Sequence, residues 1–294
     1  MSTAFTLSGV TRRYENFALQ DIDLSMPEGQ VMGLVGVNGA GKTTLLRMLS
    51  GLALADSGTV EVLGRAMPAE QVAVKQELGF ATEDMRLFKT RTLRWHMDFV
   101  RAIYPGWDEA YAAHLLRRFD LRAEQKLAGF SHGQRVKALL LLNFARRPRL
   151  LLLDEPTTGL DPVARDEVLE ALADVLRDEA RSVVFSSHNT RDIEQMADTI
   201  SFLHDGRLLA SRDKEDFLDD WRRLVCQGTW TPEPTDWPEV AAVRRNGSIV
   251  ELKLRRFSEE LLQRLRGQGL EIRSAEPMSL EDIFVTTVRA GGAA

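Results

Sequence analysis

Cysteine is almost missing from this chain: Cys226 is the only one in 294 residues. A single thiol cannot close an internal disulfide or build a multi-cysteine metal site, and such usage suits a reducing compartment. Long apolar runs are missing as well. No stretch approaches the roughly 18 consecutive apolar residues of a membrane span, and the opening MSTAFTLSGVTRRYENF holds no apolar core of signal-peptide length. A cytoplasmic protein is therefore expected, with any membrane role exercised through a partner. Basic blocks are equally scarce. With 38 Lys and Arg against 43 Asp and Glu, the net charge is −5, so nucleic acid is not an expected partner.

The length suits one large domain with a smaller addition. FTLSGVTRRY and FALQDIDLSMP alternate apolar and polar residues, as antiparallel strands do, and VMGLVG after Pro27 and Gly29 reads as a buried strand. From about 85 to 147 the pattern turns helical: Leu93, Met97 and Val100 share a face, and DEAYAAHLLRRF carries a second stripe. RLLLLD and SVVFSS are continuous apolar runs of the kind that central parallel strands show, and a helix beginning at Pro162 joins them. A hairpin is expected at Asp205-Gly206. Near residue 228 the composition shifts. GTWTPEPTDWPEV, with its three prolines, reads as a connector. The division predicted is a first domain over 1–228 and a small α+β appendage over 229–294. The appendage should hold a hairpin at Asn246-Gly247, a helix in SEELLQRLRGQ, a strand in LEIRSAEP and a last helix capped by Ser279, with Asp282 three residues on.

GVNGAGKTT, residues 36–44, matches the phosphate-binding pattern G-x-x-x-x-G-K-[ST], and it lies between a buried strand and a striped helix. Its chemistry follows from the residue types. Gly36, Gly39 and Gly41 let backbone N–H groups close on phosphate oxygens, Lys42 adds positive charge, and the Thr43 hydroxyl can ligate Mg2+. LLLLDEP brings Asp154 and Glu155 to the C-terminal end of a buried strand, the edge where open α/β sheets bind ligands. Asp154 is thus available for Mg2+, and Glu155 for orienting or deprotonating an attacking water. SSH ends the next strand on the same edge and aims His188 at the γ-phosphate region.

With these motifs in this order, the chain resembles the ATP-binding subunits of ABC transporters over about residues 4–225. Tyr14 stands in the place of the adenine-stacking aromatic, and GVNGAGKTT is the Walker A motif, with Asn38, Ala40 and Thr44 among its nucleotide contacts. FSHGQ is the signature, LLLLDE the Walker B motif, GLD at 159–161 the D-loop, and His188 the switch histidine. The resemblance implies a P-loop NTPase of α/β class with an antiparallel β subdomain and a helical subdomain, binding ATP and Mg2+. It further implies two such subunits sandwiching ATP, with Ser131, Gly133 and Gln134 of one facing the Walker A site of the other and Asp161 at the junction.

Two positions depart from the family. Glu83 occupies the place of the Q-loop glutamine, and it reads either as a retained catalytic and metal-side oxygen ligand with altered charge or as a solvated surface residue. His132 replaces the first glycine of the signature, and a working signature with this side chain turned from the nucleotide is expected. YPGWDEA and the C-terminal MSLEDIFVTTVRA resemble the ATPases of ABC-2-type drug and antibiotic exporters. Trp95, Phe99, Tyr104 and Trp107 then either line a groove for a helix of the membrane subunit or pack the helical subdomain. The function expected is the ATPase of a bacterial exporter, peripheral on the inner face of the membrane, with a second ATPase subunit, identical or different, and separate transmembrane permease subunits. A soluble ABC-type ATPase and a non-transport regulatory nucleotide-binding protein are the alternatives.

Overall fold

The computed structural model describes residues 2–82, 84–177, 181–232 and 236–291. The chain opens with β1 (Thr3–Tyr14), β2 (Phe17–Pro27) and β3 (Val31–Val35), then α1 (Lys42–Leu49), β4 (Ser57–Val62), β5 (Arg65–Met67), α2 (Gln71–Glu77) and β6 (Leu78–Thr82). The helical insert follows as α3 (Leu93–Ile103), α4 (Glu109–Arg118) and α5 (His132–Phe144). The chain then alternates β7 (Leu150–Asp154), α6 (Pro162–Leu176), β8 (Ser182–Ser187) and α7 (Thr190–Met196) before the β9 (Thr199–His204) and β10 (Arg207–Asp213) hairpin and α8 (Lys214–Asp220).

A six-stranded sheet of order β10-β9-β3-β8-β7-β6 forms the centre, parallel except at β10. Its strands β3, β6, β7 and β8 are buried along their whole length because both faces are covered. The period of two sorts the residues: Leu151 and Leu153 of β7 join one core with the helical insert, α6 and α7, while Leu150 and Leu152 join the other with α1 and the antiparallel sheet. That second sheet has order β2-β1-β4-β5. The register sets Thr82, Asp154 and Ser186 side by side on neighbouring strands, and this row is where the site is built.

The C-terminal region differs from the expectation in four ways. Strand β11 (Arg222–Gln227), on the near side of a boundary at 228, is hydrogen-bonded between later strands. With β12 (Val240–Asn246), β13 (Ile249–Leu254) and β14 (Glu271–Pro277) it makes a sheet of order β12-β13-β11-β14, next to α9 (Glu259–Gly267), so this unit begins at about 222. Trp230 and Trp237, within the stretch read as a connector, belong to that unit's core: both are buried and meet edge to face at 5.4 Å. In addition, α10 (Leu280–Arg289) leaves the small unit: Leu280, Ile283 and Phe284 pack into the main core beside Phe202 and Phe217. The Ser279 cap forms as expected, receiving the Asp282 N–H at 3.2 Å. The β12–β13 turn sits one residue later than read: Asn246 pairs with Ile249, and Gly247, at φ 61, leads the two-residue loop.

Candidate nucleotide site

Strand β3 runs directly into the loop 36–41, and α1 begins at Lys42. Glycine is needed here on steric grounds. A Cβ on Gly36 would lie 2.5 Å from the Leu203 carbonyl oxygen, and one on Gly41, which adopts φ 111, would lie 2.6 Å from Leu19 and 2.8 Å from Phe17. The Ala40 N–H donates to the Val37 carbonyl and Gly206 N–H donates to Ala40, so the hairpin turn of β9 and β10 braces the loop. A cleft of about 590 Å3 opens there, lined by residues 38–44 together with Asn16, Phe17, Thr82, Asp84, Asp154 and Glu155.

Lys42 is buried and donates to the Gly36 carbonyl at 2.7 Å. Its ammonium also stands 3.4 Å from Glu155 Oε1. Thr43 Oγ1 donates to Asp154 Oδ2 at 2.7 Å, Thr82 Oγ1 to the same oxygen at 3.3 Å, and Ser186 Oγ to Asp154 Oδ1 at 2.7 Å. Hydroxyls from three elements thus hold the Asp154 carboxylate beside α1. A hydroxyl oxygen and a carboxylate oxygen in contact, at the mouth of a phosphate loop, fit the hard-oxygen ligation Mg2+ takes, in which phosphates and water complete the set.

Glu155 follows the strand in the left-handed region, at φ 53, and Ser186 Oγ receives its N–H at 3.0 Å. Its Oε2 accepts from Thr158 Oγ1 at 2.9 Å and lies 2.8 Å from His188 Nδ1. The other oxygen, Oε1, is buried and accepts no hydrogen bond among the described residues. Burial alone would raise the Glu155 pKa, but hydrogen bonding to His188, the Lys42 charge and the Thr158 hydroxyl outweigh it and hold the carboxyl below its ordinary value. Behind the loop, Thr157 and Arg165 both donate to Asp192 of α7, a carboxylate almost wholly enclosed.

Other expected site residues lie away from this cleft. Tyr14 is half exposed and stacks on Phe17 at 6.4 Å, so the aromatic ring that lines the cleft is Phe17. Ser131 is exposed at the start of α5, in a reciprocal cap: its Oγ receives the Gln134 N–H at 3.1 Å and Gln134 Oε1 receives the Ser131 N–H at 3.0 Å. That arrangement leaves the Ser131 hydroxyl hydrogen free to donate. Gly133 follows in the first turn, and a Cβ there would approach Leu160 only to 3.6 Å. Asp161 caps α6, its Oδ1 taking the Val163 and Ala164 N–H groups at 3.0 Å each. Glu83 falls outside the described residues.

The aromatics of the insert divide. Trp107 packs against the main core and Tyr104 lies under the Arg146 guanidinium, whereas Trp95 and Phe99 stack at 5.4 Å on an exposed face with Phe88 edge-on to Trp95 at 5.8 Å. Sequence reading missed Phe88 and Phe17. It also missed the hydroxyls of Thr82, Thr158 and Ser186, which no motif spacing marks.

Comparison with known proteins gives one family. The family described as ABC transporter matches residues 19–158. The Bacillus subtilis protein named ABC transporter ATP-binding protein YtrB is 30% identical over 92% of this chain and 92% of its own length. The daunorubicin resistance ATP-binding protein DrrA3 of Streptomyces coeruleorubidus is 36% identical over 71% of this chain and 67% of its own. A solved structure titled as the ATP binding subunit of an ABC transporter superposes with a TM-score of 0.67 at 26% identity, over 74% of this chain and 92% of that one.

Proposed function

This chain belongs to the ABC transporter family as an ATPase subunit, and from that premise we propose that it powers a bacterial exporter as one half of a head-to-tail dimer joined to separate transmembrane subunits. The observation that carries the catalytic reading is the convergence of Lys42, Thr158 and His188 on Glu155 at the edge of the phosphate loop. Backbone N–H groups of residues 38–44 and the Lys42 ammonium bind the β- and γ-phosphates of ATP. Thr43 and Asp154 are the residues that would hold Mg2+, which when bound would offset phosphate charge.

Glu155 Oε1, which accepts no hydrogen bond among the described residues and faces the Lys42 ammonium, accepts one from the attacking water and orients it. A carboxylate held below its ordinary pKa is a poor proton acceptor at neutral pH, so orientation is its larger contribution. His188 fixes the opposite oxygen and brings an exposed ring to the γ-phosphate. Ser131 and Gly133 serve the ATP of the partner subunit, and the free Ser131 hydroxyl hydrogen supports that assignment.

Export is the reading we favour from the exporter-like C-terminal helix; the relatives include both a daunorubicin resistance protein and a phosphonates import protein. Among the described residues no helix is long and apolar enough to cross a membrane, which suits a peripheral subunit. The face formed by the exposed Phe88 and Phe99 with the half-buried Trp95 is the surface we assign to a short helix of the membrane subunit. Glu155→Gln tests the core of the proposal. It should abolish ATP hydrolysis while leaving an ATP-dependent dimer visible on sizing, and hydrolysis at the wild-type rate would remove Glu155 from its role.

A further inference from the structure

We propose that His132 is a positioning residue that ties the signature turn of α5 to the Glu155 carboxylate of its own subunit, an inference that rests on the reading of Glu155 as the group orienting the water. His132 Nε2 lies 3.2 Å from the carbonyl oxygen of Thr158. A carbonyl only accepts, so this nitrogen carries the hydrogen and donates. The side chain of the same Thr158 donates to Glu155 Oε2 at 2.9 Å. Two bonds through one residue therefore connect the first turn of α5 to the carboxylate.

The ring rests directly on the loop that follows Glu155, because a Cβ placed on Gly159 would stand 3.0 Å from His132 Nε2. Helix capping does not account for His132. Ser131 and Gln134 already satisfy the start of α5 through their reciprocal bonds, and the imidazole itself is exposed. Other ties on the 155–158 loop come from outside α5: Ser186 of β8 to the Glu155 N–H, Lys42 and His188 to the Glu155 carboxylate, and Asp192 of α7 to Thr157. Among the described residues, His132 thus makes the hydrogen bond by which α5 reaches this loop. Ser131 and Gly133, flanking it, are the groups this chain offers to its partner's ATP. When they grip that nucleotide, any shift of the turn is passed through Thr158 to the carboxylate serving this chain's own ATP, and the two sites are coupled within one subunit.

Steady-state ATPase kinetics of the full-length protein test the link. One hydrogen bond is at stake, so His132→Ala should lower kcat about five- to tenfold, with KM for ATP within about twofold because no nucleotide contact is lost. His132→Gln keeps an N–H donor able to reach the Thr158 carbonyl and should return kcat to within about twofold of wild type. Thr158→Val removes the hydroxyl and keeps the carbonyl. In that background, His132→Ala should cost less than about a further twofold, since the path is already broken.

Wild-type kcat in His132→Ala, no recovery in His132→Gln, or fully multiplicative losses in the double variant would each overturn the link. The ATP-dependent dimer of Glu155→Gln should persist with His132→Ala added, and its loss would assign His132 to the partner's nucleotide instead. Hydrolysis by Glu155→Gln would sink the carboxylate reading itself. Inactive Glu155→Gln beside fully active His132→Ala would sink the link alone.

Discussion

Glu155 occupies backbone space that a non-glycine residue enters at a cost of about 1–3 kcal/mol, with φ at 53. Around it the structure over-determines that conformation, through the Ser186 hydroxyl on its N–H and through Asp192, which gathers Thr157 and Arg165 behind the loop. The strained geometry turns Oε1 toward Lys42 while Oε2 keeps Thr158 and His188. A folded-state pKa below the ordinary value means that the folded protein binds this proton less readily than the unfolded chain does. The stability so gained is present above the unfolded carboxylate value, about 4.3, and is lost as pH falls through the lower folded value. Glu155→Gln cannot titrate. Its melting temperature should therefore fall less than that of the wild type between about pH 5 and pH 3, and parallel acid losses in both proteins would show that Glu155 carries no such linkage.

At the scale of elements, α10 shows what a sequence pattern can and cannot specify. The helix and its Ser279 cap were legible, and both form, with Leu280, Ile283 and Phe284 buried along one stripe. The stripe says that a face is buried, but the surface that covers it is chosen by packing: Phe284 meets Phe202 edge to face at 5.3 Å, and the Leu280 N–H donates to Glu194 of α7 at 2.7 Å. Strand β11 was hidden for a related reason. Its partners lie more than twenty residues away, and the proline-rich stretch immediately after it is a stronger local signal than pairing at that distance. The phosphate loop and the Asp154-Glu155 pair were legible because their chemistry needs fixed residues at fixed spacing. The surrounding hydroxyls were not, because a Thr or Ser reaching across from a neighbouring strand obeys register rather than spacing. Phe284→Ala should cost about 3–5 kcal/mol of unfolding free energy, read by denaturant titration. A loss below about 1 kcal/mol would show that α10 is not part of the main core.

In the whole molecule, the small sheet is an insertion between two elements that both belong to the main core. Trp221, at the end of α8, is buried there, and Met278, just before α10, is buried beside it, with the Met278 N–H 3.4 Å from the Trp221 carbonyl. Arg222 pairs with Pro277 across the same gap. The unit therefore enters and leaves at one place, and its own core of Leu224, Leu252, Leu265 and the two tryptophans is separate from the other clusters. An antiparallel pair sets Cα atoms about 4.5–5.5 Å apart, a gap that two or three linker residues span. Replacing residues 223–276 by a short Gly-Ser linker should then leave a folded protein that binds ATP, since α10 stays docked. Truncation after 228 should do worse although it removes a similar number of residues, because it strips α10 from Phe202 and Phe217 and leaves β11 without either neighbour. Sizing and thermal melting of the two shortened proteins distinguish the arrangements: the excised form should stay monodisperse and melt higher, and a truncated form of equal stability would mean that the last helix contributes nothing to the ATPase core.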